Sequence, residues 1–174
     1  MVQHKLSPLL SKEKIAQGVK RLGGMIRRDY QGKNPLLVGV LNGSFIFLAD
    51  LVREINIPLT VDFIRAQSYQ STASSGKVKV YPGKPIPLEG RHVLLVEDIV
   101  DTGVTVTQLM ERIREGSPAS LKLCSLLDKP SRHLVPVHID FLGFTVPDQF
   151  VVGYGIDLDQ EYRYLSDICT VREG

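Results

Sequence analysis

The chain has 174 residues, a net charge of +2 and 43% hydrophobic content, enough apolar material for one well-buried domain and too little for two of ordinary size. No uninterrupted apolar run is long enough to span a membrane, and the start MVQHKLSPLLSKEK lacks the apolar core of a secretory signal, so a soluble cytoplasmic protein without a membrane partner is expected. Basic residues are dispersed, with only short clusters at Lys20-Arg21 and Arg27-Arg28, which leaves no concentrated footprint for nucleic acid. Cys124 and Cys169 are too few and too scattered for a disulfide framework or a zinc site and read as inert thiols.

In chain order, Ser11 can cap a helix whose Ile15, Val19, Leu22 and Ile26 fall at helical spacing, with Glu13 in the first turn and Gly32 beyond the end. Asn34-Pro35 introduces LLVGVL, an apolar run that suits a buried strand, followed by an NGS turn and an apolar helix over about 45–55. Pro58 restarts the chain as a strand over 59–66. Residues 67–87, rich in Ser, Gly, Lys and Pro, offer little apolar surface to bury and read as a loop or flexible hairpin. A long loop inside a compact domain is more often functional than a tolerated insertion, which points to an active-site lid. Further strands are expected at 93–96, 120–127, 141–146 and 150–154, with a helix over about 103–115. The alternation fits a doubly wound α/β core in a single domain, 1–174.

The stretch VLLVEDIVDTGVTVTQL carries the clearest chemistry. A strand buried on both faces of a parallel sheet is short and Val-rich, as 93–96 is, and ligands collect at the carboxyl ends of such strands. Glu97 and Asp98 stand there, placed to accept hydrogen bonds from vicinal hydroxyls. Asp101, Thr102, Gly103, Val104 and Thr105 follow around the first turn of the next helix, where free backbone N–H groups bind phosphate. Gly103 lets the backbone approach an anion, and the two threonine hydroxyls can add donors. Capping alone is the plainer reading of each half, and Asp101 could be such a cap. Two acids behind a strand, a third acid and a TGxT turn together point instead to a sugar-phosphate site. The stretch lacks the GxxxxGK[ST] of a P-loop and the GxGxxG of a dinucleotide fold.

EDIVDTGVT resembles the phosphoribosyl pyrophosphate (PRPP) motif of the type I phosphoribosyltransferases. LNGS at 41–44, the Ser68-Tyr69 pair, LLDKPSR with Lys129, and PDQFVVGYGIDLDQEYR at 147–163 occur in the order of that family, with most similarity to its hypoxanthine-guanine branch. The resemblance implies a mostly parallel sheet flanked by helices, with a small hood from the N- and C-terminal segments. It implies purine salvage: transfer of the 5-phosphoribosyl group from PRPP to hypoxanthine and/or guanine, forming IMP or GMP and releasing pyrophosphate. Glu97 and Asp98 would orient the ribose and Mg²⁺, Asp157 would place metal through water, and Asp101 would be the general base. Leu41, Asn42, Gly43, Ser44 and Arg163 would bind pyrophosphate, with a cis Leu41–Asn42 peptide. Lys129, Phe150, Val151 and Asp157 would bind a 6-oxopurine, and Ser68-Tyr69 would close over it. Asn42 and Val104 stand where family members commonly, or in some cases, carry a basic residue. A homodimer or homotetramer is implied as well. A xanthine-preferring transferase and a nucleotide-sensing RNA-binding regulator are the competing expectations; the regulator should show a basic face.

Overall fold

The computed structural model describes residues 5–67, 79–81 and 86–172. Strand β1 (Lys5–Leu10) leads into helix α1 (Lys12–Tyr30), whose first turn is capped by Ser11, its hydroxyl accepting from the Lys14 N–H at 3.4 Å. Strand β2 (Leu36–Leu41), helix α2 (Phe45–Ile55) and strand β3 (Thr60–Gln67) follow, then the short β4 (Lys79–Tyr81). Strand β5 (His92–Val100), helix α3 (Val104–Glu115), β6 (Ser120–Asp128), a single 3₁₀ turn at Pro130–Arg132, β7 (Phe141–Thr145), β8 (Val151–Val152) and β9 (Ile168–Arg172) complete the order.

The main sheet runs β4-β3-β2-β5-β6-β7, parallel from β3 to β7 with β4 antiparallel at the edge. Side chains alternate across it as the strand period demands. Leu37, Leu94, Val96, Cys124 and Leu126 pack on one face against the apolar stripes of α1 and α2. Leu36, Val38, Val40, Val93 and Leu95 pack on the other against Val106, Leu109, Met110 and Ile113 of α3. Each large aliphatic side chain contributes about 1.5–3 kcal/mol on burial, and strand register is fixed because a one-residue slip would move every one to the opposite face, away from the helices it fits.

Strand order places the site. β2 is central, with its successor β3 on one side and β5 on the other, so the connections leave in opposite directions and open a crevice at the carboxyl ends of β2 and β5. β2 and β5 are paired only from Leu36↔Val93 to Gly39↔Val96, while β5 stays paired with β6 as far as Val100↔Asp128. The strands therefore part immediately before Glu97.

A second, three-stranded antiparallel sheet, β1-β9-β8, joins the two chain ends. It corresponds to the expected hood, and the Lys12 N–H donating to Asp167 Oδ1 at 2.7 Å ties it to the start of α1.

Two sequence expectations need adjustment. The strand expected at 93–96 continues through both acids to Val100, because β6 supplies a partner over its whole length. The strand expected at 150–154 is reduced to Val151–Val152, since Gly153, Tyr154 and Gly155 adopt φ of 104°, 51° and 98° and leave extended geometry. Within 67–87, the antiparallel pairing of Lys79–Tyr81 with the end of β3 agrees with the hairpin alternative expected there; Ser68 and Tyr69 of the expected lid lie outside the described residues.

Candidate active site

Glu97 and Asp98 sit where β5 leaves β2. Glu97 is buried, and burial, followed by the neighbouring Asp98 charge, pushes its carboxyl well above the ordinary carboxylate range. Asp98 is raised by burial to about 6, against the pull of backbone N–H groups, of a hydrogen bond with Glu97 and of the Arg163 guanidinium. Both carboxyls are thus pushed up by burial, and Glu97 also by the adjacent Asp98 charge. The 41–44 loop lies against it: a Cβ on Gly43 would stand 2.1 Å from Asp98 Oδ2 and one on Gly155 2.5 Å from the Gly43 carbonyl oxygen, so both positions need glycine for the three segments to meet.

Within that loop the Leu41–Asn42 peptide is cis, as expected. Ser44 is fully buried and its hydroxyl donates to the Val40 carbonyl at 2.7 Å. It starts α2 without a side-chain cap. Asn42 Oδ1 accepts from Arg65 Nη2 at 3.2 Å. Opposite, Arg163 donates to the Gly155 carbonyl at 2.7 Å and lies 2.9 Å from Asp157 Oδ1, which brings together two residues singled out in the sequence.

Asp101, Thr102 and Gly103 make the bend from β5 into α3. Asp101 does not cap the helix: the N-cap is Gly103, at φ 82°, and no side chain caps the turn. Asp101 Oδ1 instead accepts from Arg132 Nε at 2.8 Å, and Arg132 Nε lies 3.6 Å from Asp148. The first turn of α3 thus keeps backbone donors available, with only a 3.4 Å contact from the Val104 N–H to Thr102 Oγ1. Gly103 is also sterically required, since a Cβ there would meet Val137 Cγ2 at 2.5 Å.

At the end of β6, Lys129 is almost completely buried, at 6% exposure, which is unusual for a lysine. Its N–H donates to the Val100 carbonyl and its own carbonyl accepts from the Arg132 N–H, both at 2.9 Å. His133 Nε2 lies 2.7 Å from Asp128 Oδ1, and the Asp128 carbonyl accepts from the Val146 N–H at 2.9 Å. The chain then turns through Pro147–Gln149 to Phe150, half exposed, and the buried Val151. Lys129 and Phe150 are thereby carried to the same end of the sheet on different elements.

Sequence reasoning missed Arg132, the Asp128-His133 pair and Arg65. Arg132 sits inside the LLDKPSR segment already singled out, three residues after Lys129, so a helical-turn spacing was available as a signal. Arg65 carried none, being a charged residue on an edge-side strand until the fold pairs it with Leu41. Among the described residues, no group of three or more His, Cys, Asp and Glu side chains could hold a metal by itself.

The phosphoribosyl transferase domain family model matches residues 6–159. The hypoxanthine-guanine phosphoribosyltransferase of Bacillus subtilis (strain 168) is 44% identical over 174 residues, 99% of this chain and 97% of that protein. A crystal structure of a hypoxanthine-guanine phosphoribosyltransferase from Bacillus anthracis, with a HEPES molecule in the active site, superposes with a TM-score of 0.91 at 40% identity and covers 98% of this chain and 99% of that one. The Trypanosoma cruzi hypoxanthine phosphoribosyltransferase in complex with the product IMP gives a TM-score of 0.87 at 40% identity, covering 98% of this chain and 95% of that chain.

Proposed function

Because the chain belongs to the phosphoribosyl transferase family, among the hypoxanthine-guanine phosphoribosyltransferases, we propose that its crevice transfers the 5-phosphoribosyl group from PRPP to hypoxanthine and guanine, releasing pyrophosphate and forming IMP and GMP. The carrying observation is the arrangement at the switch point: the buried Glu97 and half-buried Asp98, the 41–44 loop packed on Asp98, and, following on from the same strand, the uncapped first turn of α3. Each suits one part of PRPP. The acids accept from the ribose hydroxyls, the α3 turn with Thr102, Gly103, Val104 and Thr105 cradles the 5′-phosphate, and the loop with Arg163 receives pyrophosphate.

As the C1′–O bond to pyrophosphate breaks, the leaving group takes the electron pair and a purine nitrogen closes on C1′. The purine then carries a proton to lose, and Asp101 accepts it. Arg132 holds Asp101 through Oδ1, which leaves Oδ2 to face the base. Lys129 donates to the 6-oxo group, Phe150 supplies a stacking face, and Val151 and the backbone near Asp157 complete the purine site. The same proposal gives Ser68 and Tyr69, with the hairpin that β3 and β4 begin, the task of excluding water.

The residues suit a Mg²⁺ ion carried largely by its ligand: Glu97 and Asp98 would hold it through the ribose, and Asp157 through water, in keeping with a carboxylate set too sparse to cage a metal alone. Bound there, Mg²⁺ would neutralise charge on the departing pyrophosphate. Among the described residues no helix is long and apolar enough to cross a membrane, and we take the protein to act in the cytoplasm. Self-association into a dimer or tetramer belongs to the proposal; Val61 and Phe63, apolar and exposed on β3, support it.

The relatives' activities favour this reading over a xanthine-preferring transferase or an RNA-binding regulator. Incubation of the protein with PRPP, Mg²⁺ and hypoxanthine or guanine is expected to yield IMP or GMP with stoichiometric pyrophosphate. Absence of both nucleotides with either purine would overturn the reading.

A further inference from the structure

The geometry points to Arg65 as a pyrophosphate-binding residue, a cation supplied by β3 to a loop that has none of its own. This rests on the reading of the crevice as a PRPP site. LNGS carries no charge, yet it faces the most anionic part of the substrate. Parallel pairing sets Arg65 directly beside Leu41, the last residue of β2, so both side chains project on the same face, the one from which the loop enters α2. Arg65 is exposed, and its Nη2 donates to Asn42 Oδ1 at 3.2 Å. A guanidinium has five N–H donors, and this contact engages one atom of the fork, leaving donors for phosphate oxygens a residue away.

The neighbouring charges support the assignment. Among the described residues no carboxylate lies within ion-pairing distance of Arg65, whereas Arg163, the other guanidinium at this end, is already held by Gly155, Gln160 and Asp157. α2 starts beside Asn42 with no acid in its first turn, so its N-terminus adds positive potential at the same place. A lysine at position 42 would repel Arg65 across a short distance; the neutral amide accepts from it instead. Asn42 and Arg65 therefore work as a unit in which the amide aims the guanidinium and the guanidinium carries the charge.

The test compares the unmodified protein with Arg65→Gln, Arg65→Lys and the double variant Arg65→Gln/Asn42→Lys, measuring the KM for PRPP, inhibition by inorganic pyrophosphate and the KM for hypoxanthine. Arg65→Gln is expected to weaken PRPP and pyrophosphate by about 10-fold or more, the scale of hydrogen bonds to a charged group, and to leave the KM for hypoxanthine in place. Arg65→Lys should keep part of the affinity. Asn42→Lys in the Arg65→Gln background should restore most of it, because the charge returns from the loop although the Asn42-Arg65 contact is gone. Unchanged pyrophosphate inhibition in Arg65→Gln, with IMP still formed, would overturn the inference and spare the proposed function; failure of the double variant to recover would assign the loss to loop placement and overturn it too. No IMP from the unmodified protein would instead remove the reading on which it rests.

Discussion

Asp101 holds its place by an ion pair rather than by capping, and that distinction sets what its replacement should do. Asp101→Asn keeps the shape of the side chain and an oxygen that can accept from Arg132 Nε, but removes the negative charge and with it proton acceptance, so PRPP affinity should survive while kcat falls by about 10² to 10⁴, the usual range for a general base. Near-normal turnover would remove Asp101 from that role. Glu97 and Asp98 make a different prediction, in metal-free protein without ligands. Both carboxyls are raised by burial, so above the ordinary carboxylate range the unfolded chain has released protons that the folded chain still holds. Their contribution to stability therefore falls as pH rises, from about 4 through about 6 for Asp98 and from the ordinary carboxylate range upward for Glu97. The urea midpoint of Glu97→Gln should gain on the unmodified protein as pH rises from the ordinary carboxylate range toward neutrality. A difference that stays constant over that interval would show that Glu97 does not hold its proton in the fold.

At the scale of elements, the bend from β5 into α3 is the most constrained part of the crevice. Gly103→Ala puts an L side chain at φ 82°, costing about 1–2 kcal/mol, and presses its Cβ to 2.5 Å from Val137 Cγ2, so the 135–137 segment must move. The urea midpoint should drop and the KM for PRPP should rise together; an unchanged midpoint would contradict the tight approach. The same bend shows what the sequence made legible. LLVGVL, FIFLADLVREI and the Ser11-capped helix announce themselves through continuous apolar runs or helical spacing, and their limits were found to within a residue or two. β1 and β9 were not individually legible, because KLSPLL and ICTVR are short, one contains Pro8, and their pairing joins residues more than 150 apart. Only the resemblance anticipated a hood. β5 was cut short at Val96 because charged residues read as a strand end, whereas β6 supplies the hydrogen bonds that carry the strand through them.

For the whole molecule, the order β4-β3-β2-β5-β6-β7 gathers loops from β2, β5 and β6 at one end and the small sheet delivers Phe150, Val151, Asp157 and Arg163 to it. Residues 41–44 and 97–105 could be picked out from sequence because chemistry and turn signals coincide there. Arg65 could not, since it depends on a partner from another strand; Arg132 lay in a segment already singled out, but its pairing with Asp101 is made by the fold. The central claim is that this assembled crevice uses 6-oxopurines, with the ammonium of the largely buried Lys129 donating to O6 and offering nothing to accept from a 6-amino group. It is tested most directly by kcat/KM for hypoxanthine and for adenine with PRPP and Mg²⁺, measured in the unmodified protein and in Lys129→Ala. The account predicts that adenine is rejected by roughly 10⁴ or more in the unmodified protein and that Lys129→Ala lowers hypoxanthine use and narrows the gap. Comparable values for the two purines in the unmodified protein would contradict it.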